Sequence, residues 1–422
     1  MAGDWTDTTL GDLLTLQRGF DLPDTEREPG PYLVVASTGP VGTHAAAMVR
    51  GPGVVIGRSG SLGGGQFLAQ DFWPLNTTLW VKDFKGNDPR FCYYLLRSLD
   101  LARFNAGSGV PTLNRNHIHP LPVSAPKDPG EQRAIAHILG TLDDKVELNR
   151  RMNETLEAMG RALFTSWFVD FDPVRAQTEG RNAELPQHLA QLFPRSFEES
   201  QLGEVPEGWA VTVLEDVLTE LETGGRPKGG VSGYATGIPS IGAESIVGFG
   251  VFDYSKTKYV PQAFFDGMPK GHVRSRDVLL YKDGGRPGQF EPHMTLFGDG
   301  FPFDTCAINE HVYRMRAKEE VGQNFLFFWL SSDLVMEEMR TKGTGVAIPG
   351  LNSTQVKSLT TLLPPSAVVR AFDKVVEPWV TRVLASCSQS RTLAELRDTL
   401  LPKLISGELR VPAVEPMVAE RL

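Results

Sequence analysis

Between Glu131 and Phe168 the apolar positions of this chain follow a heptad seam, and a second seam of the same phase lies 237 residues further on. Ile135, Leu139, Leu142, Val146, Asn149, Asn153, Leu156, Gly160, Leu163 and Trp167 are separated by alternate steps of 4 and 3, the spacing of a helix that packs along a partner. Phe372, Val376, Trp379, Val383, Ser386, Ser390, Leu393, Arg397, Leu400 and Leu404 repeat those steps without a gap. The shared phase predicts that the two helices pair with each other. Both turn polar midway, with Asn149 and Asn153 against Ser386 and Ser390. Polar seam residues cost stability but penalise slipped registers, so these positions are expected to fix how the helices pair. Two unrelated amphipathic helices of a globular core are the blander alternative, and the common phase argues against it.

What precedes each helix is itself repeated. Trp5 in WTDTTLGDLL is answered by Trp209 in WAVTVLEDVL, GVVIGRSGSLGG at 53 by DVLLYKDGGRPG at 277, PLNTTLWVK at 74 by AINEHVYRMR at 307, and GSGVPTLN at 107 by GTGVAIPGLN at 343. The order is kept while the spacing drifts, as in a tandem duplication whose halves have diverged. Short β-rich runs with glycine turns predict mixed α and β structure in each block, with strands at 32–37, 54–58 and 77–82 and a helix over 89–104. Pro120, Pro122, Pro126 and Pro129 end the first block before its long helix. The expected division is residues 1–127 for the first block, 128–200 for the first helix and a wrapped linker, 201–365 for the second block, and 366–422 for the second helix and a tail. Pro378 inside the second seam predicts kinked first turns or a later start.

A chain of 422 residues with 41% hydrophobic and 22% charged residues is long enough for two or three packed domains. Its first residues are acidic where a signal peptide needs bases, and no apolar run reaches the ~18 residues of a membrane helix, so a cytoplasmic protein without a membrane partner is expected. Cys92, Cys306 and Cys387 are far apart and odd in number, which suggests neither a disulfide framework nor a zinc site. The net charge of −9 counts against nucleic acid at first sight. Inside the acidic second block, however, Lys256 to Arg286 holds seven bases against Asp266, Asp277 and Asp283, enough for one basic face.

Motifs for catalysis are missing. There is no GK[ST] phosphate loop, no G-x-S-x-G elbow, no H-E-x-x-H metal helix, and no Asn/Asp-Pro-Pro-aromatic motif to hold a flipped base. The glycines of GRSGSLGGG at 57 and GGRPG at 284 lack the strand-to-helix context of a dinucleotide loop and read as turn formers. His117, His119, His137 and His188 show no ligand spacing and read as surface residues.

In this arrangement the chain resembles the specificity subunit of type I restriction-modification systems, over nearly its whole length. The resemblance is carried by GSGVPTLN at 107 and GTGVAIPGLN at 343, Glu131 and Gln132 after a proline-rich run, LFTSWFVDFDPV at 163, GEVPEGW at 203 and LLPKLISGE at 400. The second helix departs from it, with SAVV before Arg370. The resemblance implies an α+β fold of two globular α/β target-recognition domains separated by two long antiparallel coiled-coil helices, a pseudo-twofold internal repeat. It implies a non-catalytic subunit that reads one half of an asymmetric bipartite site in double-stranded DNA with each block. It further implies two modification (methyltransferase) subunits as partners, which would bring S-adenosylmethionine, with or without restriction and translocation subunits; no cofactor is expected in this chain. A helix of about 37 residues spans roughly 55 Å, or about 16 base pairs, which suits a spacer between two readers. A self-contained restriction and methylation enzyme, a tandem adaptor that does not bind DNA, and a solitary specificity protein are the rival readings.

For DNA, Arg suits guanine, Asn or Gln suits adenine, and Lys or backbone amides suit phosphate. The candidates are Arg58, Ser59, Asn114, Arg115 and Asn116 in the first block, and Lys282, Arg286, Lys342, Thr344 and Asn352 in the second. Asn114 and Asn352 equally suit helix caps or Asx turns. For the partner subunits the candidates are apolar side chains flanking the first seam, Met152, Met159, Phe164 and Phe168, read as exposed.

Overall fold

A computed structural model describes residues 5–182, 185–345 and 348–422. The chain divides into two compact units, one made of the chain up to Glu147 with Arg391–Leu422, the other of Leu148–Ser390. The division therefore falls in the middle of each long helix rather than at its ends. Each block takes with it the nearer half of both helices.

In the first unit Trp5–Thr9 pairs antiparallel with Pro122–Pro126, closing the block on itself. A four-stranded antiparallel sheet runs in the order Thr15–Arg18, Thr78–Asp83, Gly53–Gly57, Gly63–Leu68. A three-stranded sheet places Tyr32–Ala36 between Gly39–His44, antiparallel, and Phe72–Pro74, parallel. Helix Pro89–Ser98 starts because Asp88 accepts the Phe91 N–H at 2.9 Å and Pro89 needs no partner for the amide hydrogen it lacks. It buries Phe91, Tyr94, Leu95 and Leu96.

The second unit repeats this scheme strand for strand. Ala210–Val213 pairs with Thr360–Leu363. The four-stranded sheet runs Leu218–Thr223, Val312–Ala317, Val278–Tyr281, Met294–Leu296. The three-stranded sheet places Ile238–Ile241 between antiparallel Lys258–Val260 and parallel Ala307–Ile308. Helix Gln323–Leu330 fills the place of the first block's helix. The duplication read from landmarks is thus a duplication of topology, and the fold is α+β.

The long helices span Pro129–Phe168 and Ser366–Ser406, 40 and 41 residues. Asp128 caps the first, accepting the Gly130 N–H at 2.9 Å. The second runs without a break through Pro378, contrary to the expected late start. Pro378 lies on the exposed side, where water can satisfy the carbonyl that its missing N–H leaves free. The helices pair antiparallel within each unit. In the first unit Ile135, Leu139 and Leu142 share a core with Leu393, Leu400 and Leu404, and Asp143 accepts from Arg397 at 2.6 Å. In the second, Asn149 donates to Gln389 Oε1 at 2.9 Å and Ser390 Oγ at 3.2 Å, and Asn153 to Cys387 Sγ at 3.2 Å. Asn149 and Ser386 are each 1% exposed, and the Asn149 amide also donates to the Ser386 backbone carbonyl at 3.4 Å.

Two expectations are corrected by the second unit. Phe164 and Phe168 are not exposed flanks: both are 1% exposed and lie against Phe325 and Phe372. Gly160 makes this packing fit, since a Cβ there would strike the Phe328 ring. The stretch after Phe168 is more than a wrapped linker. It forms helix Asp172–Thr178 and hairpin Phe197–Ser200 with Gly203–Pro206, and it gives Phe171, Val174, Phe193 and Val205 to the core.

Candidate nucleic-acid interface

Both blocks build the same clasp between two loops, and four of the ten candidate residues, Arg58, Ser59, Lys282 and Thr344, stand on it. In the first block the loop after strand Gly53–Gly57 meets the stretch before Asn114. Gly60 N–H donates to Pro111 O at 3.0 Å, Ser59 bridges Thr112, and Leu113 N–H donates to Arg58 O at 2.7 Å. In the second block Gly284 N–H donates to Pro349 O at 2.9 Å, Asp283 bridges Gly350, and Leu351 N–H donates to Lys282 O at 2.9 Å. The backbone partners correspond one for one, although the second loop is longer. Ala106 N–H to Thr112 O, and Thr344 paired with Gly350 in both directions, close the two loops on themselves.

The basic residue of each clasp is braced in the same way. Arg58 N–H donates to Thr77 O and its guanidinium to Asn76 O at 3.2 Å. Lys282 N–H donates to His311 O and its ammonium to Glu310 O at 3.3 Å. Each cation is thus held beside the loop by a carbonyl rather than cancelled by a carboxylate. Asp283 accepts from or shares a proton with His311 Nδ1 at 2.8 Å, and Arg226 pairs with Glu310. Burial raises the Glu310 carboxyl, but the hydrogen bond from Arg226 outweighs it and leaves the group below its ordinary range.

The asparagines act first as caps. Asn114 accepts the Asn116 N–H at 3.0 Å at the start of Arg115–Ile118. Asn352 forms a capping box with Gln355 at the start of Ser353–Lys357, the two bonds measuring 2.8 and 2.9 Å. Both side chains remain exposed. Arg115 reaches back to Leu16 O at 3.3 Å. Lys342 is engaged by Glu338 at 2.8 Å and Ser358 Oγ at 2.9 Å, while Thr344 belongs to the clasp. Arg286 is exposed on a two-residue strand, outside the clasp contacts.

Three of the seven bases expected to form a basic face over residues 256–286 are taken up by ion pairs. Lys258 pairs with Glu244, Arg274 with Glu220 and Arg276 with Glu377. Sequence reasoning also missed His119, which is half-buried and accepts the Leu16 N–H at Nε2, 3.1 Å away. Burial, helped by Arg115 and Lys85, lowers its pKa and keeps the ring neutral for that role. Of the residues proposed for partner contact, Met159 is 44% exposed and Met152 is half-buried. Among the described residues no cluster of His, Cys, Asp or Glu could hold a metal, and no helix is long and apolar enough to cross a membrane.

These features define a class of fold: a tandem repeat of two like blocks, each presenting a braced loop clasp. Residues 2–158 match the family of the type I restriction modification DNA specificity domain. The chain is 24% identical over 345 residues to the specificity subunit of the type I restriction enzyme MjaIX of Methanocaldococcus jannaschii, covering 80% of this chain and 74% of the relative. It is 25% identical to that of HindI from Haemophilus influenzae, covering 76% and 77%. In fold it is similar to the type I S subunit of M. genitalium, at a TM-score of 0.57 and 16% identity over 96% of both chains. The relatives and the solved structure are thus alike in kind: each is a specificity subunit of a type I restriction or restriction-modification system, and it is to these that the chain is similar.

Proposed function

We propose that this chain reads an asymmetric bipartite site in double-stranded DNA, one half with each block, and directs partner subunits to it. The observation that carries the reading is the pair of clasps. Their backbones correspond bond for bond, while Arg58 and Ser59 face Lys282 and Asp283 at equivalent places. A shared scaffold with exchanged side chains suits two readers of different sequences. The long helices serve as the spacer of the same device.

The partners are two modification subunits, which supply S-adenosylmethionine and the methyl-transfer chemistry, with or without restriction and translocation subunits, in the cytoplasm. Met152 and Met159 remain the candidates for that contact. With a net charge of −9 and several bases already paired, the chain alone binds DNA weakly and the partners provide much of the phosphate attraction. Methylome sequencing of cells with and without the chain tests this. A bipartite motif with two unlike halves that disappears with the chain supports the reading, and an unchanged methylome contradicts it.

A further inference from the structure

Each clasp carries an apolar side chain that the fold holds out into solvent. Val110 is 60% exposed and Ile348 70%, the highest values for large hydrophobic side chains among the described residues. Each stands directly before the proline, Pro111 or Pro349, whose carbonyl takes the N–H of Gly60 or Gly284. Each also turns its own carbonyl back over the glycine three residues earlier, Gly107 or Gly345, where a Cβ would collide with it. Val110 and Ile348 therefore stand at the same place of the two clasps.

The tips are rigid. Asn105 Oδ1 accepts the N–H groups of Gly107 and Thr112, both at 2.9 Å, and the Thr112 hydroxyl donates to Val110 O at 3.0 Å. Thr344 and Gly350 exchange two backbone bonds of 3.1 and 3.0 Å. An apolar side chain free to move would fold back onto the protein, whereas one fixed outward is preorganised for something that covers it.

We propose that Val110 and Ile348 are apolar contacts to DNA, one for each half-site, each pressing on the carbon-rich edge of a base or sugar beside the polar groups of its clasp. The proposal rests on the reading of the blocks as two DNA readers. The surroundings favour DNA over a protein partner. Ile348 lines an open cleft of about 260 Å³ with Lys282, Asp283, Thr344, Leu351, Asn352 and Gln355, so two branched apolar groups stand among a cation, a carboxylate, a hydroxyl and two amides. Base edges offer that mixture, with donors and acceptors next to methyl and ring carbons. Protein hot spots instead gather apolar anchors together.

The test uses the assembly of this chain with its modification subunits and a duplex carrying the motif that it methylates. Val110→Ser and Ile348→Ser are each expected to bind that duplex roughly tenfold more weakly, with footprint protection lost in one half-site, a different half for each variant. Val110→Thr, which keeps the shape, shows whether apolar character or bulk matters, and is expected to weaken binding as well. Assembly with the modification subunits is expected to be unchanged. Wild-type binding by the serine variants overturns the proposal, as does loss of assembly, which would make the tips protein contacts. An unaltered assembly that binds no duplex at all overturns the underlying reading itself.

Discussion

At one register position of the four-stranded sheet the first block places Trp80 and the second Arg314. Trp80 lies opposite Val55 and Gln17, and Arg314 opposite Leu279 and Glu222. Around Trp80 the first block gathers Val35, Val55, Leu68, Phe72 and Phe20 into a small apolar cluster. Around Arg314 the second block gathers charge. Arg314, 2% exposed, bonds Asp277 at 2.9 Å, Glu222 at 2.8 Å and Glu220, while Arg316 bonds Asp277 at 2.7 Å. Burial disfavours the Arg314 cation, but the hydrogen bonds it donates to Asp277 and Glu222 outweigh it and hold the proton more firmly than on a free guanidinium. Burial likewise pushes Glu220 and Glu222 up, and their Arg and backbone N–H partners pull them below the ordinary range. The two interiors support one topology with opposite chemistry. The strand pairing and the clasp backbone define the block, and the filling is exchangeable.

The largest expected effect breaks this comparison on the charged side. Arg314→Ala removes one of the two guanidinium partners of Asp277, which is 0% exposed, and the common partner of Glu220 and Glu222, and is expected to destabilise the second unit by about 3–5 kcal/mol. Denaturant unfolding followed on that unit measures it, and a change below about 1 kcal/mol would show that the network is not a core element. The next effect compares how each helix holds its block. Gln132, 1% exposed, donates to Asn87 Oδ1 at 2.8 Å and Pro126 O at 2.9 Å and accepts from Asp88 N–H at 2.9 Å. The corresponding place on the second helix is buried Val369. Gln132→Ala is expected to cost the first unit about 2–3 kcal/mol. Val369→Ala is expected to cost the second about 1–2 kcal/mol, and equal losses would contradict the contrast.

A smaller effect is tied to pH. Burial raises the Asp373 carboxyl to about 6, with Asn324 lowering it and Glu377 raising it. A raised acid contributes stability below its unfolded value of 3.8 that is lost as pH rises through about 6. Asp373→Asn is therefore expected to stabilise the second unit at pH 8, by about 1–2 kcal/mol after allowing for solvent screening, and to do nothing at pH 4. Thermal melts at the two pH values decide it. The smallest effect is the mirror case in the first unit. His119 has a lowered pKa, so its contribution is full above the unfolded value of 6.5 and is lost as pH falls through the folded one. Its ring resonances are expected to titrate below 6.5, and titration above that value would contradict the bond to Leu16 N–H.

Much of this was legible in the residues, for physical reasons. A heptad phase is a property of the helix alone, so the seam and its polar centre were readable before any partner was known. Turn glycines and prolines mark places where the backbone has few options, so the landmarks of the clasp kept their order in both halves. Burial by other elements was not legible. Phe164 and Phe168 looked surplus to a two-helix seam because the third surface, Phe325 with Phe328, is contributed by a helix more than 150 residues away. AINEHVYRMR served only as a landmark in the sequence, and it is the acids Glu222 and Asp277, distant in the chain, that make Arg314 a core residue. Pro378 looked like a helix start because sequence does not reveal which side of the helix meets solvent.

The central claim is that the two blocks read independently. Exchanging residues 5–126 for the equivalent block of another such chain, then sequencing the methylated motif, tests it most directly. The account predicts that one half of the motif changes and the other stays. A change in both halves, or in neither, would contradict it.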